Sequence, residues 1–145
     1  MKRNVRTAYA LLLATAGGCT SPFRAEVADV DPARWTAPVC LTLDNADTTS
    51  LCDLDLFLRL DGRFAEDTLT VRIGIRTPDS LRYEEPFVMT FAPRRPGSAA
   101  LAEEAVVAYR RRVRFARSGD YRLTVSPCRP VRGVEAVGIR TGRSR

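Results

Sequence analysis

Leu54, Leu56, Leu58 and Leu60 stand at strict period two, separated by Asp55, Phe57 and Arg59. Only an extended chain places every second side chain on one side; a helix would scatter these leucines around its axis. The spacing predicts a strand with one leucine face and one mixed face. A leucine face is stable only when a second layer covers it. Asp61-Gly62 then closes the run with turn chemistry.

The same period returns along the chain. Val39, Leu41 and Leu43 alternate with Cys40, Thr42 and Asp44, and Asn45 to Ser50 is a polar turn. Leu69, Val71, Ile73 and Ile75 form a third run, ended by Pro78-Asp79. Leu81 to Phe91 is a fourth, with Phe87, Met89 and Phe91 on one face; Pro86 marks it as an edge strand or a bulge, since proline cannot donate to a ladder. Pro93 to Ser98 reads as a loop. Ala99 to Ala108 is rich in Ala, Leu and Glu, and the expectation there is a short helix or helical turn. Val107 to Phe115, Tyr121 to Val125 and Val137 to Ile139 complete the strands, separated by the Ser118-Gly119-Asp120 turn and later breaks. Six or seven strands with turn residues between them predict an all-β antiparallel sandwich, Ig-like or jelly-roll-like.

The chain opens differently. Lys2, Arg3 and Arg6 precede an apolar run from Ala8 to Ala16, and Gly17 and Gly18 lead into Cys19. A basic head, a short apolar middle and a small-residue exit form a secretory signal. The run is too short for the roughly 20 apolar residues that span a bilayer. Two glycines before a cysteine resemble the bacterial lipobox, which implies cleavage before Cys19 and lipid, palmitate included, on its thiol and new amino end. The expected organisation is a signal peptide over 1–18, the lipidated Cys19 and a linker over 19–34, a domain over 35–141 and a loose tail over 142–145. Ser21, Pro22 and Pro32 interrupt the linker, which would space the domain from the lipid.

Composition narrows the chemistry. Of 145 residues none is histidine, which removes the commonest general base and metal ligand. Net charge is +6, and +3 once the leader's three cations are gone. Lys2 is the only lysine; so even an arginine bias fits codon composition better than phosphate binding. Beyond Cys19 stand Cys40, Cys52 and Cys128. Export would place them where disulfides form, and a hairpin turning at Ala46 would set Cys40 opposite Cys52. A Cys52–Cys128 pair and three free thiols are the alternatives. No C-x-x-C pair supports zinc or thioredoxin-like chemistry.

The remaining candidates each meet an ordinary explanation. Arg110, Arg111, Arg112 and Arg114 form the densest charge run and could face an anionic lipid or polysaccharide. Arginines on an exposed strand face explain them more simply, and interleaved aromatics for nucleic acid are missing. Arg111 falls on the apolar side under strict alternation, which predicts a bulge or an ion pair there. Asp53, Asp55 and Asp61 share one side of the leucine strand and could suggest calcium or a glycosidase pair; a solvated face is the simpler reading. Trp35 is either a sugar-stacking platform or a core anchor. The expectation is a module with no catalytic residues, no metal and no cofactor beyond the lipid.

Read in order, the lipobox, Trp35 with its following strand and Asp47-Thr48-Thr49-Ser50 turn, the leucine strand running to Asp67-Thr68-Leu69, and the closing Arg114-Phe115, Gly119-Asp120-Tyr121 and Gly133-Val134-Glu135-Ala136-Val137-Gly138-Ile139 resemble the gliding motility-associated lipoproteins of the GldH-like type from Bacteroidetes. The resemblance spans nearly all the mature chain. It implies a non-enzymatic outer-membrane lipoprotein whose partners are other envelope proteins of gliding motility or the overlapping type IX secretion machinery, and no nucleic acid. No acidic cluster follows Cys19, which favours the periplasmic face. The family's tryptophan- and glycine-rich middle stretch is replaced here by Arg94 to Ala108. The alternative expectation is a glycan- or ligand-binding envelope lipoprotein.

Overall fold

A computed structural model describes residues 23–93 and 102–144. The leader, Cys19 and Ala99 to Leu101 of the expected helix lie outside these residues. Eight strands follow one another: β1 (Phe23–Asp29), β2 (Val39–Asn45), β3 (Cys52–Leu60), β4 (Thr68–Arg76), β5 (Arg82–Thr90), β6 (Glu103–Val113), β7 (Gly119–Pro127) and β8 (Val134–Arg143). They form two antiparallel four-stranded sheets, ordered β1-β8-β3-β6 and β2-β7-β4-β5. One hydrophobic core lies between them. Strand β1 pairs with β8, β2 with β7, β3 with β6 and β4 with β5, so the chain folds back on itself like a long doubled hairpin.

The core is what the alternation predicts. Leu54, Leu56, Leu58 and Leu60 of β3 are buried, facing Leu69, Val71 and Ile73 of β4 and Leu41, Leu123 and Val125 of the second sheet. At about 25 cal/mol per Å² of apolar surface removed from water, such a two-sided leucine–valine layer is the main stabilising contribution. Phe57, on the outer face of β3, is also buried, at 6% exposure. Its ring lies over Gly138 of β8, where an added Cβ would stand 2.1 Å from Phe57 Cζ, and the Arg140 guanidinium sits 5.5 Å from the ring centre.

Four expectations are corrected. The segment taken as a linker over 19–34 contains β1, which pairs with β8 from Phe23↔Gly142 to Asp29↔Ala136. Its Arg24, Ala25, Glu26 and Val27 are all exposed and gave too weak an alternation to read, because β1 is an edge strand with little of its surface in the core. The tail over 142–145 is not loose at its start: Gly142 and Arg143 belong to β8, and Ser144 N–H donates to Leu51 O at 2.9 Å. The expected helix is absent among the described residues, where Glu103 to Ala108 begin β6. Pairing with β3 from Leu58↔Ala105 to Leu60↔Glu103 overrides their helical propensity. The strand count is eight, not six or seven.

Other expectations hold. Pro86 lies on β5, the outer strand of its sheet. The register of β3 on β6 shifts between Cys52 and Asp55, a β-bulge beside Arg111, and Arg112 takes a φ of 54°.

Candidate functional site

The acidic row on β3 is a set of local tethers. Asp53 accepts the Arg112 N–H at 2.9 Å, and this bond holds its carboxyl below the ordinary range. Asp55 Oδ1 lies 2.7 Å from Arg111 Nη1. The bulge and these two carboxylates thus settle the misfit of Arg111 on the apolar side. Asp61 is not on the strand; it caps the following turn through Arg63 N–H at 2.8 Å and pairs with the Arg63 guanidinium. The three carboxylates therefore do not converge, and among the described residues no cluster of three or more metal-ligating side chains forms.

Trp35 is 1% exposed and sits in the core. Its Nε1–H donates to Ala37 O at 2.8 Å, and its backbone bridges Val131 in both directions, at 2.8 and 3.1 Å. A sugar cannot stack on it, so the platform reading is withdrawn.

The hairpin at Ala46 does not form. Strands β2 and β3 belong to different sheets, Cys40 faces Thr124 of β7, and Cys52 faces Val113 and Arg143. Cys40, Cys52 and Cys128 are free thiols. Partial burial pushes the Cys52 thiol up, and the neighbouring Asp47 charge adds to it. That direction opposes the thiolate a nucleophile needs.

Two surface regions remain. The first is the side of the sandwich where β5 and β6 end their sheets. Tyr109 O–H donates to Glu85 Oε1 at 2.5 Å, Arg110 also reaches Glu85, and the Tyr109 and Phe87 rings meet edge to face at 5.2 Å. These contacts clip the two sheets together. Burial, and the hydrogen bond to Glu85, push the Tyr109 hydroxyl well above its usual value. Outside the clip, Tyr83 (58%), Val88 (59%) and Val106 (45%) are exposed. Among the described residues, both strands leave one backbone edge without a neighbouring strand.

The second is a cleft of about 540 Å³ where β1 begins and β2 and β8 end. Arg24, Asp44, Asp47, Cys52, Phe115 and Arg143 are among the residues lining it. Asp47 is committed to its own turn: it accepts from Thr49 N–H at 2.8 Å, Thr49 Oγ1 at 2.7 Å and Ser50 N–H at 3.0 Å. Hydrogen bonding, first from the Ser50 hydroxyl, holds its carboxyl far below the carboxylate range. Arg24 donates to Asp44 O at 3.3 Å across the two sheets.

Phe87, Arg110, Asp47 and Cys52 stand out in the sequence, but not as parts of these two regions, and the exposed Val88 and Val106 do not stand out at all. Val88 and Val106 look like ordinary strand residues until the strand order leaves them outermost. The fold and these surfaces define an all-β two-sheet module with open edges and one mixed-charge cleft. The chain matches no family model, no curated protein and no solved structure.

Proposed function

We propose that this chain is a lipid-anchored envelope protein, acylated on Cys19, whose sandwich serves as a non-enzymatic assembly module. Its similarity to the GldH-like lipoproteins makes gliding motility or the associated type IX secretion machinery the setting, on the periplasmic face of the outer membrane. The observation that carries this reading is the open β5/β6 side. Two strand edges with no strand neighbour among the described residues, with Val88 and Val106 exposed, offer what a protein partner uses: backbone pairing for affinity and apolar side chains for specificity.

We also read the eight-strand pairing as a jelly roll rather than an Ig-like sandwich, from the order β1-β8-β3-β6 against β2-β7-β4-β5. Jelly rolls include lectin domains, and this topology together with the cleft beside Phe115 supports the second reading, a glycan- or ligand-binding lipoprotein. Fold alone does not carry function, and the buried Trp35 and Tyr109 give that reading no stacking platform.

A photo-crosslinking residue at Val106, compared with one at Glu26 in the cleft, separates the two in cells. Crosslinks to an envelope protein from Val106 support assembly; glycan or small-molecule capture at Glu26 alone overturns it. Loss of surface spreading or protein secretion on gene deletion, restored by wild type but not by Cys19→Ala, supports the setting and the anchor. Normal behaviour in an organism that has both processes removes the motility reading.

A further inference from the structure

Strand β1 begins at Phe23, so only Thr20, Ser21 and Pro22 separate it from Cys19. An extended chain covers at most about 3.6 Å per residue, which keeps the start of β1 within roughly 14 Å of a lipid-bearing Cys19. The spacer that a linker would have supplied is absent. Whichever end of the sandwich holds Phe23 must sit against the bilayer.

The strand registers identify that end. Phe23 is level with Gly142, Arg143 with Cys52, and Cys52 with Val113 in one sheet. In the other, Asn45 is level with Gly119, and Arg76 with Arg82 and Arg122. The Asn45 side chain donates to Arg117 O at 2.9 Å, and the cleft lined by both sheets opens here, so the two sheets share this end.

Charge divides between the two ends. Around the start of β1, in residues 23–24, 44–53, 76–83, 112–122 and 141–144, stand eight arginines and five aspartates. At the opposite end, counting the described residues alone, in 29–38, 60–68, 90–93, 102–104 and 127–135, stand four arginines and eight acids. Two of the five aspartates at the first end, Asp47 and Asp53, are turned onto backbone N–H groups. Arg76, Arg82, Arg114 and Arg122 are exposed. Leu81 (52%) and Tyr83 (58%), two of the most exposed large apolar side chains, stand on the same end. A basic rim with a protruding Leu and Tyr is the surface an anionic headgroup layer attracts: arginines pair with phosphates, and the apolar pair enters the interface.

We propose that this end of the sandwich docks directly on an anionic phospholipid surface, with Leu81 and Tyr83 at the contact and the acidic end pointing away. The proposal rests on the lipid-anchor reading for its orientation. Docking holds the β5/β6 side perpendicular to the membrane, open to partners, and the attraction weakens with salt because screening acts over about 8 Å at physiological ionic strength.

The test uses the full processed chain, with Leu81→Trp at the basic end and Ala65→Trp in the turn at the acidic end. The native Trp35 is buried and serves as an internal reference. Protein is placed on phosphatidylcholine vesicles with and without phosphatidylglycerol, with spin-labelled lipid as quencher. The expected result is quenching of Leu81→Trp several-fold greater than of Ala65→Trp, stronger with phosphatidylglycerol. It should be reduced by the added reversals Arg82→Glu and Arg114→Glu, whose fold is checked by circular dichroism. Equal quenching at the two ends, or indifference to lipid charge, overturns docking. Intact mass of the same sample reads the acyl group separately. If it is absent, the anchor reading fails, and docking is then judged by salt-sensitive co-sedimentation with phosphatidylglycerol vesicles: binding lost in Leu81→Trp/Arg82→Glu/Arg114→Glu supports it, and no binding overturns it.

Discussion

Strands β3 and β6 are hydrogen-bonded neighbours in one sheet, yet they differ in almost every physical respect. Strand β3 is flanked on both sides, by β8 and β6. Its leucines fill the core, and even its outward Phe57 is buried. Among the described residues strand β6 has a neighbour only at β3; it buries Tyr109, half-buries Ala105 and Val107, and leaves Val106 out, although Val106 stands directly across from Phe57. Identical backbone geometry therefore supports two roles. A strand enclosed on all sides stabilises the fold; a strand covered only on its core face and along one edge is held in place by it and keeps its outer face and other edge for something else.

The sharpest way to break this comparison is to disturb what encloses β3. Gly133 seats the end of β3 against the turn into β8: its carbonyl accepts Asp61 N–H at 2.9 Å and its own N–H donates to Pro32 O at 2.8 Å. It has a φ of +81°, and a Cβ would stand 2.2 Å from Phe64 N. Gly133→Ala meets backbone, which no rotamer change relieves, on top of left-handed strain of about 1–3 kcal/mol. The expected outcome is the largest loss of the series, read as collapse of soluble yield and of the urea midpoint. A midpoint within error of wild type would show that the enclosure of β3 is slack.

Next comes the core itself. Leu58, 1% exposed, truncated as Leu58→Ala should cost about 2–5 kcal/mol, the range for a buried leucine whose cavity cannot collapse. Urea unfolding measures it, and an unchanged m-value would confirm that the native packing, not the denatured state, has changed.

The same contrast explains what could be read from sequence. Leu54 to Leu60 announced β3 because enclosure on one face forces every second residue to be large and apolar. Strand β1 was legible only as a linker, and the start of β6 only as a helix. An edge strand tolerates Ala, Glu and Arg on most positions, so its period is diluted and propensity speaks instead of packing. Pairing then decides, and pairing is a long-range property: Phe23 meets Gly142 across the length of the chain. The misplaced Arg111 was legible, since breaking the period on a strand demands a bulge or a counter-charge, and both are present. The Cys40–Cys52 hairpin misled because symmetry about Ala46 says nothing about which sheet each arm joins. Of the open β5/β6 side only the β5 edge could be read, from Pro86; that β6 is the other outermost strand follows from a strand order no local pattern carries.

A smaller effect tests how β6 is fastened. Tyr109→Phe removes the hydroxyl that donates to Glu85 and keeps the ring against Phe87. One hydrogen bond to a charged but partly exposed carboxylate predicts a loss of about 0.5–1 kcal/mol at neutral pH. The Tyr109 hydroxyl, then Arg110, holds the Glu85 carboxyl below its ordinary value. A carboxyl lowered on folding stabilises the protein above its unfolded pKa of about 4.3, and that contribution fades as pH falls through the folded value. Wild type and Tyr109→Phe should therefore differ most near pH 7 and draw together toward pH 3 in urea midpoints. A constant gap across that range would assign the clip to the rings and not to the charged hydrogen bond.

The smallest effect is the most discriminating. Val106 keeps 45% of its surface in water, so Val106→Thr, which preserves shape and β-branching, should move stability by no more than about 0.5 kcal/mol. Its register partner Phe57 should behave oppositely: Phe57→Ala empties the space above Gly138 and removes the face on which Arg140 rests, at a cost of about 3 kcal/mol. Two residues facing one another on the same side of the same sheet would then differ severalfold in what they contribute to folding. If Val106→Thr proved as costly as Phe57→Ala, β6 would be part of the sandwich's support, and its open edge could no longer be regarded as a surface spared for a partner. If it is neutral for folding and yet lowers crosslinking from the neighbouring Ala108, the edge acts after the protein has folded, and the comparison between the two strands becomes one between stability and assembly.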